Sequence, residues 1–176
     1  MYVTEPSNAR RFTIATARPQ DAAALARVHV EGWRAAYGHL LSDHEKWFGA
    51  AALERRARQW TQWLTPGTEA SAFGTYRAGY DEAGTPVGFA ISGPARDQDP
   101  PRNLELASLY IDQDWYGTGM GRGLVLAVIG EAPASVWVTE DNARARRFYE
   151  KLGFVADGAA KVEEHLGSLR DIRMVR

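Results

Sequence analysis

The sequence predicts a mixed α/β fold: a single-layer sheet of about seven strands with helices on both faces. Three features predict it. They are short apolar runs at strand spacing, four segments whose apolar residues recur at helical spacing, and a glycine-rich stretch set between a strand and a helix. The order β-α-α-β-β-β-α-β-α-β-β leaves no room for a second domain. Residues 1–176 therefore read as one domain, with residues 1–11 as a flexible polar tail.

Residues 12–17 form the first expected strand. Pro19, Gln20 and Asp21 then open a helix whose apolar positions Leu25, Val28, Ala36 and Tyr37 recur at helical spacing, and Gly38 ends it. Ser42, Asp43, His44 and Glu45 have the spacing of a capping box. Leu53, Ala57, Trp60 and Leu64 continue one apolar stripe until Pro66-Gly67 stops it, and Gly49 is a point at which this helix can split. Residues 70–80 and 86–95 read as strands joined by the turn-rich residues 81–85, a β-hairpin, and residues 103–111 are a third such run. Beyond the glycines, Met120, Leu124 and Val128 fall on one helix face. Residues 135–139 are a strand, and Ala145, Phe148, Tyr149 and Leu152 mark a last helix. Gly153 suits the left-handed position after it. Strand resumes from Phe154 and, past the turn signal Gly167-Ser168, with Leu169, Ile172, Met174 and Val175.

A balance of 21 basic against 22 acidic residues gives no uniform field to hold the molecule on nucleic acid or an anionic membrane. The absence of cysteine removes disulfides, thiolate metal clusters and a Cys nucleophile for a covalent acyl intermediate. The four histidines fall at no metal-ligand spacing. Residues 1–11 lack the apolar core of a signal peptide, and no run approaches the ~20 apolar residues of a membrane span. The expectation is a cytoplasmic protein with no metal, acting on a small-molecule or peptide partner. Its oligomeric state, a homodimer included, stays open.

Trp115 is followed by Tyr116, Gly117, Thr118, Gly119, Met120, Gly121, Arg122 and Gly123. Glycine at alternate positions just before a helix lets backbone N–H groups converge on an anion without obstruction by Cβ atoms. The dinucleotide fingerprint needs Gly at i, i+2 and i+5, but counting from Gly117 the last position is Arg122, and from Gly119 it is Leu124. No Gly-Lys-Ser or Gly-Lys-Thr follows, so a nucleoside-triphosphate loop fails as well. A phosphate or pyrophosphate of another ligand remains, beside the alternative of a turn that is merely flexible.

Leu109-Tyr110-Ile111, the loop from Trp115 to Gly121, and Asn142 followed by Phe148-Tyr149-Glu150-Lys151-Leu152-Gly153-Phe154 together resemble the GNAT superfamily of N-acetyltransferases. The resemblance is close over about half the chain, residues 104–154, and residues 28–37 look like the first helix of many bacterial members. It implies a GNAT-like acyl-CoA N-acyltransferase fold with acetyl-CoA as co-substrate. The pyrophosphate would lie against Tyr116, Gly117, Thr118, Gly119, Met120 and Gly121, with Arg122 beside it. The pantetheine amides would pair with the strand at Leu109, Tyr110 and Ile111, and Asn142 and Phe148 would contact the same cofactor. The family has Gln or Arg where this chain has Tyr116, a departure that bears on one side-chain contact and not on the backbone contacts.

The resemblance further implies Glu105 as the base that takes the amine proton, commonly through water, and Tyr149 as proton donor to the leaving thiolate. A base is needed because a protonated amine has no lone pair with which to attack the acyl carbon. Without the resemblance, Glu105 reads as a strand carboxylate that meets solvent or an arginine. Tyr149 then belongs to the apolar stripe, and Asn142 is a helix N-cap.

In this family the N-terminal helices form the acceptor wall. Here they carry Trp33, Tyr37, His39, His44 and Trp47 among Glu31, Asp43 and Glu45, with Trp33 and Tyr37 as the expected contacts of a small basic acceptor. The same aromatics also serve helix packing. The implied activity moves an acetyl group from acetyl-CoA to a primary amine of a small molecule, peptide or protein. A non-catalytic CoA-binding sensor or regulatory subunit is the first alternative, and a nucleotide-binding α/β module of another class is the second.

Overall fold

A computed structural model describes residues 10–163 and 169–176. Most of the expected tail at residues 1–11, and the Gly167-Ser168 turn, lie outside the described residues. The strands are β1 Thr13–Thr16, β2 Thr75–Tyr80, β3 Pro86–Pro94, β4 Leu104–Ile111, β5 Ser135–Thr139, β6 Val155–Glu163 and β7 Leu169–Val175. The helices are α1 Ala22–Tyr37, α2 His44–Phe48, α3 Ala50–Leu64, α4 Met120–Ile129 and α5 Ala143–Lys151. All seven strands share one sheet of order β1-β2-β3-β4-β5-β7-β6. Every neighbouring pair is antiparallel except β4 and β5. The expected element order is therefore found, and Gly49 divides α2 from α3.

The sheet separates two cores, because successive strand residues point to opposite faces. Ala90 and Leu106 meet Met120, Leu124, Val125 and Val128 of α4 on one face. Phe89 and Ile91 meet Leu25 and Val28 of α1 and Trp60 and Leu64 of α3 on the other. Full burial of side chains of this size contributes about 1.5–3 kcal/mol each, so the two helix layers fix the sheet between them.

Several local expectations are corrected. Residues 70–74 turn instead of extending, with the Tyr76 hydroxyl donating to the Ala70 carbonyl across the bend at 2.9 Å, so β2 begins at Thr75. The N-cap of α2 is Asp43, whose carboxylate accepts from the Lys46 N–H at 3.0 Å; a capping box starting at Ser42 is not formed. Leu53 is exposed, since Ala52 turns inward at that end of α3. Residues 19–21 make a separate 3-10 turn ahead of α1. Phe154 is wholly buried just before β6 instead of forming part of it.

Two irregularities shape the centre of the sheet. In the β3–β4 register Ile91 faces Ser108 and Ser92 faces Leu106, so Ala107 is an extra, bulged residue. The bulge resets the alternation, and Leu109 and Ile111 join Leu106 on the α4 face while Ala107 and Tyr110 pack on the α1 face. Tyr110 presses against α1 at Gly32, where a Cβ would stand 2.5 Å from Tyr110 Cδ1.

Gly32→Ala is expected to lower stability by about 1–2 kcal/mol, because overpacking against the wedged tyrosine outweighs the better helix propensity of alanine. Thermal unfolding checks this, and an unchanged or raised melting temperature would show that α1 and β4 do not pack this closely.

Candidate active site

The site is built around the only parallel neighbours in the described sheet. β4 and β5 share one residue pair, Glu105 with Ser135, at the start of both strands. Farther along, β4 remains paired with β3 and β5 with β7, but β4 and β5 no longer pair with each other. The edge of β4 at Leu109, Tyr110 and Ile111 is thus free on its β5 side, and its N–H and C=O groups can accept an added extended chain. A cleft of about 380 Å³ lies at the mouth of this opening, lined by Gln113 after β4, Thr139 at the end of β5, Asn142 and Arg144 at the start of α5, and Ala36 and His39 from the end of α1 and beyond.

The loop that follows β4 divides its glycines between two tasks. Gly117 and Gly119 have φ of +78° and +92°, a left-handed conformation that suits glycine. Gly121 and Gly123 belong to α4 and permit close packing: a Cβ on Gly121 would stand 3.2 Å from Phe148, and one on Gly123 2.6 Å from Ile14. The N-cap residue Gly119 has no side chain to cap α4, and Thr118 Oγ1 accepts from the Met120 N–H only at a long 3.4 Å, so the positive end of the helix dipole faces the loop. That arrangement fits an anion such as a pyrophosphate.

Tyr116, the irregular member of the loop, is engaged. Its hydroxyl accepts from Arg144 Nη2 at 3.0 Å, and the Arg144 guanidinium lies 4.0 Å from its ring centroid. Arg144 was not foreseen in the sequence, where nothing but its place two residues after Asn142 marks it. Arg122 is exposed at the start of α4. Asn142 caps α5, its Oδ1 accepting from the Ala145 N–H at 3.0 Å, while its residue also lines the cleft.

Three tyrosines from three elements converge beside the opening. Burial pushes the Tyr149 hydroxyl pKa far up, and the neighbouring Tyr37 pushes it the same way. Burial raises Tyr110 well above its ordinary value too, with Tyr37 and Tyr149 adding to the effect. All three hydroxyls therefore lie within electrostatic reach of one another. Tyr149 is also part of the apolar stripe, packing between Phe148 and Phe154 at 5.3 and 5.9 Å. Behind Tyr110, His29 stacks on its ring at 5.2 Å. Burial holds that imidazole well below its usual pKa, with Arg56 acting in the same direction, and Nδ1 finds no hydrogen-bond partner among the described residues.

Glu105 lies away from this cluster, at the closed end of the β4–β5 pair. It is buried, and both of its oxygens are taken. Oε1 accepts from the Arg96 guanidinium and Oε2 from the Arg96 N–H at 3.1 Å. The arginine-paired alternative is thus the arrangement found.

On the expected acceptor side, Trp33 stacks on Trp47 at 6.1 Å and meets Tyr37 edge-on at 5.4 Å. Trp33 and Trp47 line a cavity of about 510 Å³ between α1, α2 and α3. The acidic residues expected there are used elsewhere: Glu31 pairs with Arg34, Asp43 caps α2, and neither they nor Glu45 line the cavity. Its charged lining is Arg55, Arg56 and Arg58.

Residues 33–154 match the family described as Acetyltransferase (GNAT) family. The chain is 25% identical over 166 residues to a probable N-acetyltransferase of Mycobacterium tuberculosis, a match covering 88% of this chain and 84% of that protein. It is 36% identical over 86 residues to a peptidyl-lysine N-acetyltransferase of Escherichia coli, covering 48% of this chain and 52% of that one. The PaiA N-acetyltransferase of Thermoplasma acidophilum, solved in complex with coenzyme A, has the same fold, with a TM-score of 0.61 at 19% identity over 93% of this chain and 98% of that one. The family match takes in both strands of the opening and the loop between them, so the chain belongs to the GNAT acetyltransferase family and is an acyl-CoA-dependent N-acetyltransferase.

Proposed function

We propose that this single-domain enzyme transfers an acetyl group from acetyl-CoA directly to a primary amine, with Tyr149 as the acid. The observation that carries this reading is the convergence of Tyr37, Tyr110 and Tyr149 beside the free edge of β4. No helix among the described residues is long and apolar enough to cross a membrane, and the proposed setting is the cytoplasm.

Acetyl-CoA supplies the electrophile, a thioester carbonyl carbon. The N–H groups from Gly117 through Gly121 would hold its pyrophosphate, and the edge of β4 at Leu109, Tyr110 and Ile111 would pair with its pantetheine amides. Asn142 Nδ2 has no hydrogen-bond partner among the described residues and would be available to the same arm, since only Oδ1 serves as the cap. Arg144, steadied by Tyr116, brings to the loop the positive charge that a side chain at position 116 does not, and Arg122 adds to it. Phe148 closes the wall beside Gly121.

With the amine neutral, its lone pair forms the C–N bond as the C–S bond breaks. The Tyr149 hydroxyl gives its proton to the departing sulfur and is reprotonated through water from the acylated nitrogen. A raised pKa suits this role, because the hydroxyl stays protonated across the physiological range and releases its proton only to a strongly basic thiolate formed beside it. We assign Glu105 to the β4–β5 junction instead of to proton transfer, since it would have to give up Arg96 to accept a proton.

Tyr149→Phe is expected to lower kcat about 10²–10⁴-fold with little change in the KM for acetyl-CoA. Free-thiol release measures it, and undiminished turnover would remove the acid role. Glu105→Gln is expected to lose about 1–3 kcal/mol of stability while the shape of the pH–rate profile survives. Loss of its base-dependent limb at an unchanged melting temperature would return the base to Glu105.

A further inference from the structure

α3 turns a polar face toward α1 and α2. Arg55, Arg58, Gln59 and Gln62 recur at i, i+3, i+4 and i+7, the spacing of one helix face, and all four line the cavity of about 510 Å³ between the three helices. The aromatic wall of the same cavity is Trp33 of α1 and Trp47 of α2, both half-buried, with their rings stacked at 6.1 Å and inclined by 29°. A helix face set beside two tryptophans is ordinarily apolar and closes on them. Here it carries cations and amides, and the space stays open.

The charge in this space is of one sign. Arg55, Arg56 and Arg58 line it, and none of the described lining residues is acidic. Arg58 pairs with Glu54 at 3.8 Å, and Arg55 donates to the Lys46 carbonyl at 2.8 Å. Arg56 has no carboxylate partner among the described residues. Its Nη1 donates to Gln59 Oε1 at 2.6 Å, and its guanidinium lies 5.5 Å from the centre of the Trp33 ring. It is half-buried, and burial lowers its pKa, with Arg55 acting in the same direction. A guanidinium presents five N–H donors in a planar fork, and a partly desolvated one is stabilised by an anion that meets two of them at once. Lys46 lies over the Trp47 ring at 4.9 Å, so each tryptophan of the wall has a cation at one ring face.

The geometry points to this cavity as a second binding site, for a small aromatic carboxylic acid whose carboxylate pairs with the Arg56 fork and whose ring lies on Trp33 and Trp47. The site is separate from acetyl transfer. The cavity shares no lining residue with the cleft at the β4–β5 opening, and none of Tyr37, Tyr110 and Tyr149 lines it. The acid is bound there and undergoes no chemistry. The cationic wall selects an acid over the corresponding amide or amine, since only a carboxylate meets the planar guanidinium with two parallel hydrogen bonds. The indole wall selects an aryl body over a short aliphatic one, because ring packing adds to the burial of apolar area. A volume of about 510 Å³ falls in the range of small-molecule sites.

The test is titration calorimetry of the full chain, in the absence of acetyl-CoA, with phenylpropionate, its carboxamide, the matching phenylpropylamine, and propionate. Wild type, Arg56→Met and Arg56→Lys are compared. The expected result is phenylpropionate binding about 10- to 100-fold more tightly than the amide, the amine or propionate. Arg56→Met abolishes that preference and Arg56→Lys retains part of it. Saturating coenzyme A leaves the affinity unchanged, and the indole N–H resonances of Trp33 and Trp47 shift as the acid is added. An acid that binds no more tightly than its amide, a preference that survives Arg56→Met, displacement by coenzyme A, or a titration that leaves both indole resonances unmoved would overturn the proposal. The wild-type affinities and the indole shifts decide the matter alone if a variant fails to fold. All of these outcomes leave the acetyl-transfer reading standing, because thiol release tests it separately.

Discussion

The structure depends on one constraint: β4 and β5 run parallel, yet only Glu105 and Ser135 join them. Unpaired backbone N–H and C=O groups inside a sheet cost about 1–3 kcal/mol each when water is excluded, so a split sheet needs support at its closed end and a partner at its open end. The closed end is held by the buried carboxylate of Glu105 on Arg96 and by Ser135 Oγ reaching the Leu104 carbonyl. The open end leads to the left-handed glycines and the start of α4, so the strand edge and the glycine loop lie on one path. The GNAT family assignment makes an acyl-CoA thioester the proposed occupant of that path.

Burial sets the chemistry beside that path. The same packing that raises the Tyr110 and Tyr149 pKa values keeps His29 neutral and leaves Arg56 partly desolvated. In such surroundings a hydroxyl is a poor acid until a strong base forms next to it, which in the proposed reaction would confine proton transfer to the moment of thiolate departure. The Ala107 bulge is what turns Tyr110 toward α1 while Leu109 and Ile111 keep to the α4 face, so a one-residue irregularity in β4 decides which side chains face each helix layer.

Elements with a strong local pattern were legible in the sequence. The stripe Met120, Leu124 and Val128, the strand at residues 135–139 and the division at Gly49 appear as read. Where local chemistry offered two candidates, the sequence misled: Asp43 and Ser42 both suit an N-cap, and only the backbone geometry at Asp43 selects between them. The glycine loop was legible as a tight turn between a strand and a helix, but the packing role of Gly121 and Gly123 was not, because it depends on Phe148 and Ile14 arriving from distant segments. Arg144 and Arg56 could not be read, since a lone arginine on a helix gains its meaning only from what folds against it. The Arg96 partner of Glu105 was hidden for the same reason.

The most direct test of the split-sheet account is an amide NMR titration with acetyl-CoA. The account requires the N–H resonances of the free β4 edge, Leu109 to Ile111, and of the loop, Gly117 to Gly121, to shift together as the ligand saturates, and their hydrogen exchange to slow. Saturation that leaves both segments unmoved while other amides respond would contradict it.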